Sequence, residues 1–292
     1  MNFKLSQQIP VPAEDFPWLQ EKIDRLEDLL RELTPVAVAF SGGVDSTLLY
    51  CEARRVLGDE AVAVIGISPS LAQLELKEAR LMAAHLRAPL LEIETHELER
   101  EAYRANRGDR CFHCKSELYQ CLTAQESLLG WTLCDGTHAE DRGVDRPGMR
   151  AASHWGVESP LRKAGFGKKE IRELARLRGL PNWNRPGRPC LASRVRTGTR
   201  VDAEILGHVE TLEAILDGAG FRIYRARTDG RDIILEFAPE ELGRLGESRW
   251  REEFLAKASD LGYARVLVTL AGYGGIPGFK KNREARDPSP NR

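Results

Sequence analysis

The chain has 292 residues, of which 42% are hydrophobic and 30% charged, and its formal net charge is −1. These values are typical of a globular protein with one large or two medium domains. A net charge near zero gives no general attraction to nucleic acid or anionic lipid, and no apolar run reaches the roughly 20 residues of a membrane helix. We therefore expect neither nucleic acid nor a membrane as a partner. The polar residues 1–12 lack the apolar core of a signal peptide, which predicts a cytoplasmic protein.

Strand and helix patterns alternate over the first two thirds of the chain. Apolar residues at helical spacing from Trp18 to Leu33 predict an N-terminal helix. Short apolar runs rich in β-branched residues then predict strands at 36–40, 61–67, 89–93 and 131–134. Helical patterns between and after them cover 46–56, 71–86, 111–124 and 168–178. This order predicts an α/β fold with a doubly wound parallel sheet, in which ligands bind at the carboxyl ends of the strands.

The pattern changes after about Gly198. A helical stripe over 205–215 precedes two alternating segments, 221–227 and 232–237, which flank the strong hairpin-turn signal Asp229-Gly230. A helix near 250–260 and a strand at 265–270 complete an α-β-β-α-β order. We therefore predict a first domain over 1–197, a smaller α+β domain over 198–280 and a disordered charged tail over 281–292.

A glycine-rich loop with the sequence SGGVDS, residues 41–46, follows the first predicted strand and precedes a helix. Glycine permits a tight turn and close backbone approach, and the amides at a helix N-terminus favour an anion. An ordinary turn with a helix cap is the alternative. The loop lacks the Gly-Lys-Ser/Thr end of a Walker loop, so it does not indicate kinase or motor chemistry. The residues predicted to bind a phosphate-like anion are Ser41, Gly42, Gly43, Asp45, Ser46 and Thr47.

The loop resembles that of the PP-loop superfamily, in which it holds pyrophosphate while a substrate oxygen attacks the α-phosphate of ATP. The resemblance implies that Asp45 helps to position Mg²⁺, a hard cation that prefers oxygen ligands. It also implies that the end of the fourth strand completes the nucleotide site through Asp135, Gly136 and Thr137. Asp141 is a second candidate for Mg²⁺ or substrate, and a helix cap is its alternative role.

Three of the six cysteines lie in polar, charged segments. Cys111 and Cys114 have the C-x-x-C spacing that can ligate one metal or cluster, although no second such pair follows, and a redox pair is another reading. Cys190 stands alone, and the nearby Arg188, Arg194 and Arg196 are expected to lower its pKa and favour the thiolate. A small buried residue is its alternative role. The other cysteines are predicted to be core or helix-surface residues, and they are Cys51, Cys121 and Cys134.

Five runs occur in the order SGGVDST, RCFHCK, DGTHAEDRGVDRPGMRA, ESPLRKAG and RPCLASR. Together they resemble the LarE family, ATP-dependent sulfur transferases that build the nickel-pincer nucleotide cofactor. The resemblance implies that the carboxylates of pyridinium-3,5-dicarboxylate mononucleotide are adenylylated and that sulfur then replaces AMP. It places Cys190 at the sulfur-donating position. A lactate racemase or another enzyme would receive the finished cofactor.

Two sulfur sources are found in the LarE family. Some members sacrifice the single cysteine equivalent to Cys190, which becomes dehydroalanine. Others hold a 4Fe-4S cluster with three cysteines that resemble Cys111, Cys114 and Cys190, leaving the fourth iron open for a further sulfide. This sequence contains all three cysteines, so the resemblance favours the cluster route.

The same resemblance implies a role in substrate binding for Ser193, Arg194, Arg225 and Arg227. Arg225 and Arg227 alternate on a predicted strand and therefore share one face, where guanidinium groups can bind a phosphate or carboxylate. Glu213, on the preceding helix, is implied as a metal contact. A solvated strand face is the alternative. Other enzymes of the nickel-pincer pathway and further copies of the chain, in a homo-oligomer, are the macromolecular partners that the resemblance implies.

Three other functions are compatible with parts of the sequence. A tRNA thiolase of the same superfamily would also use three cysteines, but the zinc knuckles or RNA-binding module usual in such enzymes are not evident. An amide-forming synthetase similar to NAD or GMP synthetase would need an ammonia source, and no glutaminase pattern is present. A non-catalytic ATP sensor would not need the paired loop and cysteine motifs.

Overall fold

A computed structural model of the chain describes residues 17–141 and 147–273. The chain divides into two compact units, one formed by Met1–Ser193 with Thr197–Leu206 and the other by Arg194–Arg196 with Gly207–Arg292. The predicted boundary between residues 197 and 198 stays a prediction, and the predicted tail at 281–292 lies outside the described residues. No helix within the described residues has the length and apolar character that crossing a bilayer requires.

The first unit is built on four parallel strands in the spatial order β3-β2-β1-β4. In their register, Val36 of β1 is the partner of both Ala61 in β2 and Thr132 in β4. The parallel sheet confirms the predicted α/β fold. The strands are β1 (Val36–Ala39), β2 (Ala61–Ile67), β3 (Leu90–Glu94) and β4 (Thr132–Cys134).

Helices of the first unit surround this sheet. The first helix is amphipathic, and Leu19, Ile23, Leu26 and Leu30 are buried on its inner face against the core. Burying a leucine side chain contributes about 2 kcal/mol relative to leaving it exposed. The helices are α1 (Pro17–Leu33), α2 (Val44–Leu57), α3 (Gln73–His85), α4 (Glu101–Arg104), α5 (Arg110–Thr123), α6 (Pro147–His154), α7 (Pro160–Lys163) and α8 (Lys168–Leu177).

The predicted elements of the first unit agree closely with the structure, with two kinds of difference. Helix α2 begins at Val44, earlier than predicted, because the chain already turns helical within the glycine-rich loop. The sequence gives no sign of α4, α6 and α7, which have 4, 8 and 4 residues, because so few turns leave little periodicity to detect.

The second unit contains a three-stranded sheet in the order β5-β6-β7. The first two strands form the predicted antiparallel hairpin, in which Asp229 Oδ1 accepts hydrogen bonds from the amides of Arg231 and Asp232. β7 pairs parallel to β6, and an aromatic cluster that includes Phe221, Phe237 and Trp250 forms the core. Its elements are α9 (Ala203–Gly218) from Gly207 onward, β5 (Tyr224–Thr228), β6 (Asp232–Phe237), α10 (Ser248–Asp260) and β7 (Arg265–Val268).

Candidate active site

The carboxyl ends of the four parallel strands border a cavity of about 400 Å³ within the first unit. Its lining brings together predicted residues from separate segments of the sequence. The predicted residues in the lining are Ser41, Asp45, Ser46, Cys114, Asp135, Gly136, Thr137, Asp141 and Cys190. The predicted residues of this unit that lie outside the lining are Gly42, Gly43, Thr47, Cys111 and Ser193.

The glycine-rich loop is folded tightly on itself. Gly42 has a φ of +70°, and a Cβ at this position would lie 2.8 Å from the Cα of Ala79. Both the backbone conformation and the close approach of α3 therefore require glycine. Ser46 Oγ accepts a hydrogen bond from the amide of Ser41 at 3.1 Å and donates one to the carbonyl of Gly43 at 3.2 Å. The serine thus fixes the loop before any ligand binds.

Lys168, at the start of α8, pairs with the aspartate of the loop. Its Nζ lies 2.6 Å from each carboxylate oxygen of Asp45, although 123 residues separate the two in the sequence. A lysine in the first turn of a helix is unfavourable for the helix dipole. The contact with Asp45 offsets that cost and places a positive charge beside the loop.

Asn182 is hydrogen-bonded to the glycine-rich loop and to the first turn of α2. Its side-chain amide donates to the carbonyl of Gly42 at 2.9 Å and to Thr47 Oγ1 at 3.0 Å. Asn182 is 5% exposed and Thr47 is fully buried. Neither Lys168 nor Asn182 was among the predicted site residues.

Asp135, at the end of β4, is the centre of a network of hydrogen bonds. Its oxygens accept from Lys115 Nζ at 3.2 Å, Ser159 Oγ at 2.8 Å and Thr137 Oγ1 at 2.8 Å. Burial raises the pKa of this carboxyl, but Lys115 and the Ser159 and Thr137 hydroxyls outweigh it and hold the pKa below its usual value. The Asp135 carboxyl is therefore ionised at neutral pH, and its hydrogen bonds position Lys115, Thr137 and Ser159.

Asp141 also lines the cavity and takes part in a local turn. Its Oδ2 accepts a hydrogen bond from the amide of His138 at 3.1 Å. This bond comes from a residue that precedes Asp141, so it stabilises the turn at 138–141 and is not the contact of a helix cap. Its role toward Mg²⁺ stays a prediction.

The three singled-out cysteines differ in exposure. Cys111 and Cys190 are exposed, and Cys114 is half-buried. Burial, followed by the charges of Glu97, Cys190 and Cys111, raises the pKa of the Cys114 thiol well above its usual value. Cys111 lies three residues before Cys114 on α5, and Cys114 and Cys190 line the same cavity, so the three thiols belong to one region. The predicted effect of nearby arginines on Cys190 stays a prediction.

A buried polar cluster supports the cysteine end of the cavity. Glu97 is 1% exposed, accepts a hydrogen bond from Thr95 Oγ1 at 3.0 Å and lines the cavity beside Cys114 and Cys190. The segment of Cys190 is anchored one residue further on, where the amide of Leu191 donates to the carbonyl of Ser70 at 2.9 Å. These contacts hold an exposed thiol on a fixed backbone.

The remaining cysteines have the environments predicted for them. Cys134 is buried in the sheet, and Cys51 is partly buried against the core of the first unit. Cys121 is half-buried on α5, where its thiol donates to Glu117 Oε1 at 3.4 Å. Burial raises the pKa of Cys121 to about 11, so this thiol is a poor nucleophile at neutral pH.

A cluster or metal ion would need ligands that the described residues bring close together. Three thiols in one neighbourhood, two of them lining one cavity, match the donor set of an iron-sulfur cluster with one open iron. Within residues 17–141 and 147–273, no group of three or more His, Cys, Asp and Glu side chains is already arranged to hold a metal ion. The donors fit such a cluster in kind, but they are not preassembled.

Two predicted residues of the second unit, Arg194 and Glu213, form an ion pair with each other. Arg194 Nε and Nη2 donate to the two oxygens of Glu213 at 2.9 and 2.8 Å, and Ala226 donates its amide to the same carboxylate at 3.0 Å. Arg194 and Glu213 are both buried. These bonds already engage both oxygens of the Glu213 carboxylate. A metal contact for Glu213 stays a prediction.

The two arginines of β5 share a face, as predicted, but differ in burial. Arg225 is buried, donates to the carbonyl of Tyr224 at 2.6 Å, and stacks over the ring of Tyr273 at 4.9 Å. Burial, and then the charge of Arg194, lowers the pKa of Arg225. Arg227 is more exposed, and its Nε lies 2.8 Å from Glu236 Oε1. Their roles in substrate binding stay predictions.

Comparisons with known proteins agree with the sheet and the loop. The family profile described as asparagine synthase matches residues 24–125, which contain the loop. An uncharacterized protein of Synechocystis is 34% identical over 256 residues, which are 87% of this chain and 96% of that protein. A chain of the glutamine-hydrolyzing GMP synthase of Sulfurisphaera tokodaii is 26% identical over 214 residues, which are 66% of this chain and 58% of that one. The fold and the loop thus define an ATP-using enzyme of the PP-loop superfamily.

A third relative narrows the class. Pyridinium-3,5-bisthiocarboxylic acid mononucleotide synthase of Lactiplantibacillus plantarum is 31% identical over 247 residues, which are 84% of this chain and 88% of that protein. The chain belongs to the LarE family of ATP-dependent sulfur transferases. The resemblance seen in the five sequence runs is thereby confirmed.

Proposed function

We propose that the protein adenylylates the carboxylates of pyridinium-3,5-dicarboxylate mononucleotide and replaces AMP with sulfur, during biosynthesis of the nickel-pincer nucleotide cofactor. One observation carries the proposal: the exposed thiol of Cys190 and the loop residues Ser41, Asp45 and Ser46 border the same cavity. A nucleotide activated at the loop would therefore meet a sulfur ligand within one site. The bisthiocarboxylic acid product named for the Lactiplantibacillus relative supports this choice of substrate.

The first step activates a carboxylate that would otherwise react poorly. A carboxylate oxygen of the substrate attacks the α-phosphorus of ATP, the bond to the bridging oxygen breaks, and pyrophosphate leaves. The loop amides, with Ser41 and Ser46, would hold the departing pyrophosphate. Lys168 would add an ammonium group where negative charge develops. Asp45 and Asp141 would position Mg²⁺ through carboxylate oxygens.

The second step forms the carbon–sulfur bond. A sulfur nucleophile attacks the acyl carbon, the carbon–oxygen bond to AMP breaks, and AMP leaves with the bonding electrons. Cys111, Cys114 and Cys190 would hold a 4Fe-4S cluster, which when bound would supply a sulfide at its open iron. If Cys190 itself donated, its attack would give a thioester. Loss of the Cα proton and cleavage of the Cβ–S bond would then leave the thiocarboxylate and dehydroalanine.

Ser193 and three arginines are proposed for substrate recognition. Ser193, beside Cys190, would orient the carboxylate under attack. Arg194, Arg225 and Arg227 would bind the phosphate or the second carboxylate, because guanidinium groups bind such anions in a bidentate manner. Their existing partners, Glu213, Tyr273 and Glu236, would keep the guanidinium groups oriented until the substrate arrives.

The other functions explain fewer of these contacts. An amide-forming synthetase would require ammonia and gives no role to a thiol in the nucleotide cavity. A tRNA thiolase would use the same thiols, but the net charge of −1 offers no general attraction for a polyanion. The cavity and its cysteines are therefore best explained by sulfur transfer to a small nucleotide-like substrate.

Two measurements test the proposal. ATP–pyrophosphate exchange should depend on the dicarboxylate substrate, and exchange without it would contradict the proposed activation. Anaerobically purified protein should contain iron and acid-labile sulfide and should keep its mass after turnover. If iron is absent and the protein loses about 34 Da, the mass of one H₂S, then Cys190 is the sacrificed donor and the cluster proposal is wrong.

A further inference from the structure

The peptide that joins the two glycines of the loop has an unusual freedom. Gly42 lies at φ +70°, and Gly43 at φ −71° and ψ 156°. Because neither residue carries a Cβ, rotation of the peptide between them meets little steric resistance. A planar trans peptide directs its carbonyl and its N–H to opposite sides. The direction of the Gly42 carbonyl therefore decides which of the two groups faces the phosphates.

Asn182 fixes that direction. Its Nδ2 donates to the Gly42 carbonyl at 2.9 Å, so the carbonyl points toward Asn182, which is buried and lies outside the cavity lining. The Gly43 amide then points to the other side, toward the hydroxyl of Ser41, 3.4 Å away, and Ser41 lines the cavity. A second bond from the same nitrogen to Thr47 Oγ1, at 3.0 Å, holds Asn182 to the first turn of α2.

The orientation of the Asn182 amide follows from its partners. A carbonyl oxygen only accepts hydrogen bonds, so the nitrogen and not the oxygen of the side chain must face Gly42. The Oδ1 atom is buried and has no hydrogen-bond partner among the described residues. An unpaired buried oxygen destabilises a fold, and an apolar side chain of similar size would avoid that cost. An apolar side chain would, however, leave the Gly42 carbonyl without this donor, so the two bonds from Nδ2 are what an asparagine supplies at this position.

We propose that Asn182 is a positioning residue that locks the Gly42–Gly43 peptide in its anion-binding orientation. The inference rests on the proposed function, since the anion would be the pyrophosphate part of ATP. Without the lock, the peptide can turn and present the Gly42 carbonyl to the phosphates, which would repel them. The same segment of chain begins at Lys168, which contacts Asp45, and ends at Cys190 in the cavity. Asn182 thus couples the loop to the segment that carries the sulfur ligand.

The proposed role of Asn182 is tested by calorimetry, which measures the affinity for inorganic pyrophosphate with Mg²⁺ and, separately, for AMP. Asn182→Leu should bind pyrophosphate about tenfold or more weakly, the effect of losing a hydrogen bond and gaining a repulsive carbonyl, while AMP affinity changes less than about twofold. Asn184→Ala is the matched control, since this exposed asparagine lies two residues further on, and it should bind both ligands as the unchanged protein does.

Asn182→Asp supplies a readout that a purely structural role would not give. Its carboxylate cannot donate to Gly42, but the protonated acid can, so its pyrophosphate affinity relative to the unchanged protein should recover as the pH falls from about 8 to about 5 or below. This variant also serves if Asn182→Leu fails to fold. Equal pyrophosphate binding by the unchanged protein and both variants, or equal losses for pyrophosphate and AMP, would overturn the lock alone. No pyrophosphate binding by the unchanged protein would overturn the proposed function as well.

Discussion

Residues of the glycine-rich loop line the same cavity as Cys114 and Cys190, but the loop and the cysteines differ in how the protein holds them. In the loop, Ser46, Asp45 and the Gly42 carbonyl each have close partners within the protein, at distances from 2.6 to 3.2 Å. Among the cysteines, Cys111 and Cys190 are exposed, and the described residues contain no assembled group of metal ligands. The glycine-rich loop is therefore held by contacts within the fold, while two of the three thiols are exposed.

This difference fits the two halves of the proposed reaction. Stabilising a departing pyrophosphate requires donors that are fixed in advance, because reorienting them during the reaction would cost free energy. A sulfur-bearing group must instead be loaded, used and renewed. Thiols that assemble around such a group would acquire their final arrangement from it, as metal ligands commonly do. Four substitutions test whether the loop and the cysteines differ in this way.

The largest effect is expected for Cys190→Ala. Formation of the sulfur-containing product should fall below detection, because the proposed function uses this thiol either as cluster ligand or as donor. Substrate-dependent ATP–pyrophosphate exchange should stay within about twofold, since activation precedes the sulfur step. Cys121→Ala is a suitable control, because Cys121 lies on α5 outside the cavity lining. Product formed by Cys190→Ala would show that the loop and the cysteines do not divide the reaction in this way.

The next effect concerns the rigidity of the loop. Gly42→Ala should lower the free energy of unfolding by about 2–4 kcal/mol, the sum of a left-handed backbone and overpacking against Ala79. Gly179→Ala separates the two causes, because Gly179 has the same φ of +70° but open space around its Cβ. It should cost only about 1 kcal/mol. Urea denaturation measures both, and equal losses would mean that the contact with α3 does not constrain the loop.

Much of this organisation could be predicted from the sequence, and the exceptions have a common cause. The strand at 61–67 and the loop at 41–46 were predictable because their signals are local: a β-branched run, and glycines before a helix. Lys168 and Asn182 contact residues 123 and 140 positions away, and no spacing rule reaches so far. Lys168 did offer one signal, since a basic residue in the first turn of a helix requires a compensating partner.

The cysteines, unlike Lys168 and Asn182, could be recognised as site residues from the sequence. Their residue types and order indicated the chemistry, and the structure places Cys114 and Cys190 at one cavity. Sequence could not indicate that Glu213 accepts two hydrogen bonds from Arg194, because the two residues are 19 positions apart and no helical or strand spacing relates them. Arginine and glutamate signal charge in a sequence, but only the packing shows whether that charge meets a partner or a substrate.

A third substitution tests the charge beside the loop. Lys168→Met should reduce ATP–pyrophosphate exchange by about 10- to 100-fold, as expected for the loss of a charge-assisted hydrogen bond. Lys168→Arg should recover part of the activity, because it retains the charge in a different geometry. The neighbouring Lys169 is exposed, so Lys169→Met is the control for removing one lysine from the same helix. Similar exchange rates in Lys168→Met and Lys169→Met would show that the pair with Asp45 has no part in activation.

The smallest effect concerns Asp135 and the pH dependence of stability. Its pKa in the folded protein lies below the ordinary value of 3.8, since Lys115, Ser159 and Thr137 outweigh the effect of burial. The stabilisation by its carboxylate is therefore fully present above the unfolded pKa and is lost as the pH falls through the folded pKa. Asp135→Asn should be less stable by about 1 kcal/mol at neutral pH. This difference should shrink as the pH falls below 3.8. Urea denaturation at a series of pH values measures it, and a difference that stays constant into acid would show that the charge of Asp135 does not organise this edge of the cavity.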